Sequence, residues 1–206
     1  MIKKNLTILV AYSKNKVIGA QGTIPWKLPS ERNRFKEICQ GKKIIMGRKS
    51  FEEIGHGLPY CTIIIVSRTM KKCPEGCLLA ESFEEAVRLA ESDGDLNTED
   101  VIDTGAGSCT RASNLDTGSD VTTGATIFPN ASPPQNTSEI LIAGGQEVYK
   151  QALPYTQTIY ATEIQKNYPG DRFFPELALD QWKITDEENH RENGVEFRYL
   201  TMKRRG

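Results

Sequence analysis

Short, nearly unbroken β-branched runs separated by helical patterns constrain this chain most. "KKIIMG" (42–47), "TIIIVS" (62–67) and "EILIAGG" (139–145) are too short for helices and are apolar at successive positions. A strand with one wet face alternates, whereas a strand apolar throughout is covered on both faces, as in a parallel sheet. "LTILVAYS" (6–13) and "TIYATEI" (158–164) read as further strands, and helices are predicted over 29–40, 49–54, 82–92 and 145–152. From residue 182 the pattern changes to two alternating strands about Asn193–Gly194, a dipeptide suited to a tight hairpin. The fold class is therefore α/β: a single domain with a central, mostly parallel twisted sheet, flanking helices and an antiparallel C-terminal edge hairpin. In such sheets ligands sit at the carboxyl ends of the strands.

Residues 94–138 interrupt this alternation with a stretch rich in Gly, Ser, Thr, Asn and Asp that holds no sustained period. A segment of this length and composition is expected to be a mobile surface insertion in the one domain, with a short strand at "ATIFP". Six carboxylates there face the single base Arg111, a net charge of −5, so the remaining chain carries +4 of the overall −1. That mild excess suits a polyanionic small ligand and argues against a nucleic-acid surface. No apolar run approaches the roughly 20 residues that cross a bilayer. The apolar run in "MIKKNLTILVAYS" is too short for a signal peptide and lacks a cleavage site, so it is read as the first buried strand and the chain as cytoplasmic. Of the five cysteines only Cys73 and Cys77 lie close together, and with two histidines in the chain, His56 and His190, ligands for a zinc site are short. Reduced cytosolic thiols are expected.

The helix predicted from residue 29 raises a question. Pro29 is a good first helical residue. Glu31, Phe35 and Ile38 then share a face, with Cys39 beside them, so a carboxylate looks inward together with apolar side chains. Strand ends add chemistry: "GRKS" (47–50), "SRT" (67–69) and "GGQEVY" (144–149) put glycines, cations and hydroxyls at one sheet edge. Glycines let main chain approach a ligand, and helix starts offer free N–H groups to an anion. Together they describe a site for a ligand with several phosphates, although no G-x-G-x-x-G follows the first strand.

"VIGAQGTIPWKLPSERNRFK" (17–36), "IIMGRKSFEEIG" (44–55), "LPYCTIIIVSR" (58–68), "ILIAGGQEVY" (140–149) and "GDRFFP" (170–175) resemble dihydrofolate reductase, in that family's order and across the chain outside the insertion. The resemblance implies NADPH-dependent reduction of dihydrofolate to tetrahydrofolate, in support of one-carbon metabolism, by hydride transfer to C6 and protonation at N5. It answers the question about Glu31, which matches the acid that grips the pteridine. Thr162 matches the threonine that orients that acid, and Trp26 the tryptophan that holds water near it. Leu9, Val10, Ala11, Leu28, Phe35, Ile54, Leu58 and Ala143 match the substrate walls, and residues 13–28 the loop that closes over the nicotinamide. For NADPH, Ala11, Ile18 and Gly19 match the nicotinamide pocket. Gly47, Arg48, Lys49 and Ser50 match the phosphate contacts, and Val66, Ser67 and Arg68 the region of the 2′-phosphate. Gly144, Gly145, Gln146, Glu147, Val148 and Tyr149 match the pyrophosphate turn, with the Gly144–Gly145 peptide expected cis. Antifolate binding and a monomeric state are implied as well.

The match departs from the family in two places. The family's arginine that pairs with the glutamate tail should fall in "LPYCT", where Cys61 stands. Arg32, Arg34 and Lys36 are the nearby candidates to compensate. Glu147 stands where many relatives carry a base. A reductase of a tail-less pterin or a pyrimidine intermediate is the first alternative. A non-catalytic NADPH-binding protein whose insertion recruits a partner is the second.

Overall fold

The computed structural model describes residues 5–55, 58, 61–92 and 139–206. The expected insertion at 94–138, its "ATIFP" strand and Arg111 lie outside the described residues. Along the chain run β1 (Leu6–Ser13), β2 (Val17–Gly19), α1 (Pro29–Cys39), β3 (Lys43–Gly47), α2 (Arg48–Ile54), β4 (Thr62–Val66), β5 (Cys77–Ala80) and α3 (Phe83–Glu91). Beyond the insertion come β6 (Ile140–Ile142), α4 (Gln146–Ala152), β7 (Thr156–Ile164), β8 (Arg172–Phe173), β9 (Trp182–Glu192) and β10 (Val195–Arg204).

Among the described residues, eight strands form one sheet in the order β5-β4-β3-β6-β1-β7-β10-β9. All pairs from β5 to β7 are parallel, and β10 runs antiparallel to both β7 and β9. The continuous apolar runs are buried as their composition demands: Ile44, Ile45, Met46, Ile64, Ile65, Leu141 and Ile142 are all at most 0 % exposed. Successive residues on these strands serve opposite faces. Ile8, Val10, Ile45, Ile64 and Ile142 meet Phe83, Ala86, Val87, Val148 and Ala152 of α3 and α4. Leu9, Ile44, Met46, Ile63 and Ile65 meet Cys39 and Phe51, with Phe35 and Ile38 packed alongside, on the side of α1 and α2.

Local chemistry sets the boundaries. Ser82 caps α3 by accepting from the Glu85 amide at 3.1 Å. Asn193 (φ 51°) and Gly194 (φ 75°) both take left-handed conformations in the hairpin turn, as that dipeptide predicts. A second, two-stranded sheet pairs β2 with β8. It ties the segment after β1 to residues 166–174, helped by Lys14 N–H to the Lys166 carbonyl at 3.1 Å and Phe174 N–H to the Lys16 carbonyl at 2.8 Å.

Both attachment points of the insertion lie at the amino edge of the sheet. The Lys43 ammonium donates to the Ala90 and Ser92 carbonyls at 2.8 and 2.7 Å, and Lys42 pairs with Glu139 at 2.8 Å. The carboxyl edge, where "GRKS", "SRT" and "GGQEVY" cluster, is the opposite one.

Candidate active site

The apolar wall comes first. Along β1 the two-residue period sends Leu9 into the cluster that Phe35, Ile54, Leu58 and Ala143 share, and Ala11 into the one with Trp26 and Leu28. Val10, expected on the same wall, packs its side chain into the opposite face for the same reason.

α1 lies over this wall. Leu28 occupies its N-cap and offers no side-chain bond, while Pro29 opens the first turn as predicted. Glu192 on β9 takes over the capping role, its Oε2 accepting from the Ser30 amide at 3.2 Å and hydroxyl at 2.7 Å. Tyr199 on β10 supports the helix as well, with the Arg34 guanidinium 4.2 Å above its ring. Register pairs Tyr199 with Thr162 and Thr162 with Ala11, so these three share a sheet face.

Glu31 is half-buried on α1. Burial pushes its carboxyl up to about 7; the guanidinium groups of Arg34 and Arg32 pull it down, and the Glu53 carboxylate adds to the rise. Opposed influences of this kind are common at groups that handle protons. Thr162 is buried on β7, and among the described residues no hydrogen bond joins it to Glu31. The Trp26 indole N–H is buried without an acceptor among the described residues, and its ring meets Tyr168 edge-on at 5.5 Å. Buried polar atoms are nearly always satisfied, so an indole donor left over at this wall marks where solvent or ligand completes the bonding.

Glycine shapes the second half of the site. The Gly47 amide at the end of β3 donates to the Gly144 carbonyl at 2.7 Å, which joins two strand ends. The Gly144–Gly145 peptide is cis, as the resemblance implied. A Cβ on Gly144, whose φ is +100°, would stand 3.1 Å from the Tyr149 ring, and one on Gly145 would stand 3.2 Å from Ser50 Oγ. Main chain is therefore bare where α2 and α4 begin, and neither helix start is capped by a side chain. Beneath it, Tyr149 is buried and donates to the Leu9 carbonyl at 2.8 Å, which links the glycine pair to β1. Val148 packs its Cγ2 under Gly47.

Cations follow the adjacent ends of β3 and β4, where Gly47 pairs with Val66. Lys49 and Arg68 are exposed, and Arg48 pairs with Glu52 at 2.6 Å. Ser67, at the end of β4 after Val66, accepts from the Thr69 and Met70 amides at 3.2 and 3.0 Å, so its hydroxyl shapes the turn that presents Arg68. Gln146 reaches away, its Oε1 accepting from the Phe173 amide at 2.8 Å, and Glu147 is exposed beside Lys150 at 3.1 Å. Ile18 packs at the rim of the α3–α4 core, and Gly19 pairs with Arg172 across β2 and β8. Cys61 is half-buried, its thiol bonded to the Leu58 carbonyl at 3.3 Å and pushed up to about 11 by burial.

Sequence reasoning missed Glu53, Tyr168, Glu192 and Tyr199. The Asn193–Gly194 turn fixes the register of the last two but carries no sign that the hairpin supports α1. Glu53 bonds the Ile24 amide at 2.7 Å, a contact that leaves no local pattern.

The dihydrofolate reductase family model matches residues 5–107 and 109–204. The chain belongs to the dihydrofolate reductase family. The dihydrofolate reductase of Haemophilus influenzae is 30 % identical over 202 residues, covering 97 % of this chain and 98 % of the relative. That of Staphylococcus haemolyticus is 29 % identical over 191 residues, 89 % of each chain. Among solved structures, the Enterococcus faecalis dihydrofolate reductase complexed with NADP(H) and RAB-propyl superimposes with a TM-score of 0.70 at 23 % identity, covering 100 % of this chain and 99 % of that one. The fold is thus a dihydrofolate reductase fold.

Proposed function

We propose that this family member reduces 7,8-dihydrofolate to 5,6,7,8-tetrahydrofolate with NADPH, through the residues gathered at the carboxyl edge. The observation that carries the reading is Glu31, a half-buried carboxyl pushed up to about 7 on the helix that overlies Leu9 and Ala11. A pteridine offers an amino group and a ring N–H side by side, which a carboxylate accepts in parallel. The orphaned Trp26 N–H supports a water between indole and substrate. Glu31, kept close to neutrality by its surroundings, favours the proton that N5 must receive.

NADPH fits the second half-site. Bare glycine backbone at Gly47, Gly144 and Gly145 admits phosphates closely, and Arg48, Lys49 and Arg68 supply countercharge. When bound, the cofactor supplies the hydride. The chain's own contribution is orientation by the Leu9–Ala11 wall, exclusion of water by the loop between β2 and α1, and control of one proton at Glu31.

The test is absorbance loss at the NADPH band with dihydrofolate, wild type beside Glu31→Gln. The variant is expected to bind NADPH as the parent does and to turn over roughly 10²- to 10⁴-fold more slowly. An equally active variant overturns the reading. Cys61 favours a second reading: a neutral thiol bonded to a carbonyl gives the glutamate tail no cation, so a tail-less dihydropterin is the competing substrate. Equal kcat/KM for the two substrates would establish it.

The same reading takes the chain as one domain carrying an insertion, acting as a cytoplasmic monomer. The sheet edges support the monomer: β5 has four residues, and β9 presents Asp186, Glu187, Glu188 and Arg191 to solvent.

A further inference from the structure

The loop from Val17 to Trp26 contains no ionisable side chain. Its base is fastened by the pairing of β2 with β8 and by the Asp171 amide donating to the Gly19 carbonyl at 3.1 Å. Its tip is a tight turn in which Ala20 and Thr23 exchange main-chain bonds of 2.8 and 3.0 Å, with Gln21 (φ 51°) and Gly22 (φ 85°) left-handed. Those bonds are internal to the turn. Among the described residues, one hydrogen bond joins the 20–25 tip to another element: the Ile24 amide to Glu53 Oε1 on α2, at 2.7 Å.

We infer that Glu53 is a positioning residue that fastens the β2–α1 loop to α2, holding Ile24 and Trp26 against the substrate wall during reduction. The loop and α2 both pack on the substrate wall: Ile24 joins the cluster of Trp26 and Leu28 with Ala11, while Ile54, next to Glu53, packs with Leu9 and Phe35. A main-chain N–H held by a carboxylate is a charge-assisted bond, stronger than a neutral one. Glu53 also stands within electrostatic reach of Glu31 and Arg32 on α1, so the fastening group borders the acid as well as the loop. Among the described residues no ion pair joins Glu53 to Lys49, four positions earlier on the same helix, and Arg48 pairs with Glu52 at 2.6 Å.

This inference rests on the proposed reductase activity, and its test separates the two. Hydrogen exchange at the Ile24 amide is measured in wild type, Glu53→Ala and Glu53→Gln, alongside thermal melting and single-turnover NADPH oxidation with dihydrofolate. Glu53→Ala is expected to speed exchange at Ile24 about tenfold or more while the melting temperature stays within a few degrees. The same variant is expected to slow hydride transfer about tenfold with little change in the dihydrofolate concentration that half-saturates it, the pattern of a loop that gates the chemical step. Glu53→Gln keeps an oxygen acceptor and should recover most of both losses. Unchanged exchange at Ile24 in Glu53→Ala overturns the fastening, and faster exchange with unaltered hydride transfer overturns its part in the reaction. Absent turnover in the wild type would sink the reductase reading alone, since the exchange measurement still judges the latch.

Discussion

Glu31 shows what a site residue costs the fold that carries it. Its carboxyl sits at about 7 in the folded chain against an ordinary 4.5, so the folded state holds the proton more tightly than the unfolded one. Below pH 4.5 both states are protonated and nothing is lost. Between pH 4.5 and 7 the unfolded chain ionises while the folded one keeps its proton, so stability falls progressively, by on the order of 3 kcal/mol once the pH has passed 7. Glu31→Gln removes that cost, so the variant should melt above the parent at pH 8, with the gap shrinking toward pH 5. Equal melting temperatures at both pH values would contradict the burial argument. Glu31 was legible in sequence because a carboxylate one turn before Phe35 violates helical patterning, and such violations mark sites. Glu53 was not legible, since it lies on the wet side of a short helix and its partner, a main-chain amide 29 positions away, has no side-chain identity to read. Val10 shows the opposite failure: a family motif assigns three neighbours to one wall, and the strand period sends the middle one elsewhere.

At the level of elements, the long runs declared themselves and the short ones did not. β1 spans 6–13 as predicted, and α1, α2, α3 and α4 fall within a residue or so of expectation. β2, β5 and β8, of three, four and two residues, are too brief to show any period, and only the neighbouring strand makes them strands. β6 keeps only Ile140–Ile142 of the predicted run, because the glycines that follow turn toward α4. The junction between β6 and α4 tolerates little change. Gly144→Ala would force a side chain into the Tyr149 ring at a left-handed φ. About 2 kcal/mol or more of destabilisation is expected in denaturant melts, with weakened NADPH binding by titration. The α1 cap is more forgiving. Glu192→Ala leaves the Ser30 amide to solvent and should cost about 1 kcal/mol while lowering kcat/KM, because the helix that loosens is the one carrying the acid.

Seen whole, the molecule keeps its chemistry and the attachment points of its insertion at opposite edges of one sheet. The ends of α3 and β6 that flank the insertion are held by Lys42 and Lys43 at the amino edge, away from the glycine pair. Replacing 96–136 by a short Gly-Ser linker is therefore expected to change kcat less than tenfold in a folded variant; a larger drop would place the segment in the reaction. This polarity was readable, since helix and strand order already assign the insertion to a strand's start. The position of the final hairpin beneath the first helix was not, because contacts across 162 positions are encoded by the assembled sheet and by no local stretch. That hairpin sets a schedule. A ribosome delivers the acid-bearing helix long before its clasp, Glu192, so a nascent chain stopped short of 182–204 holds its carboxyl without a fixed bearing. Catalytic competence then switches on only once that hairpin has emerged, instead of accumulating along the way.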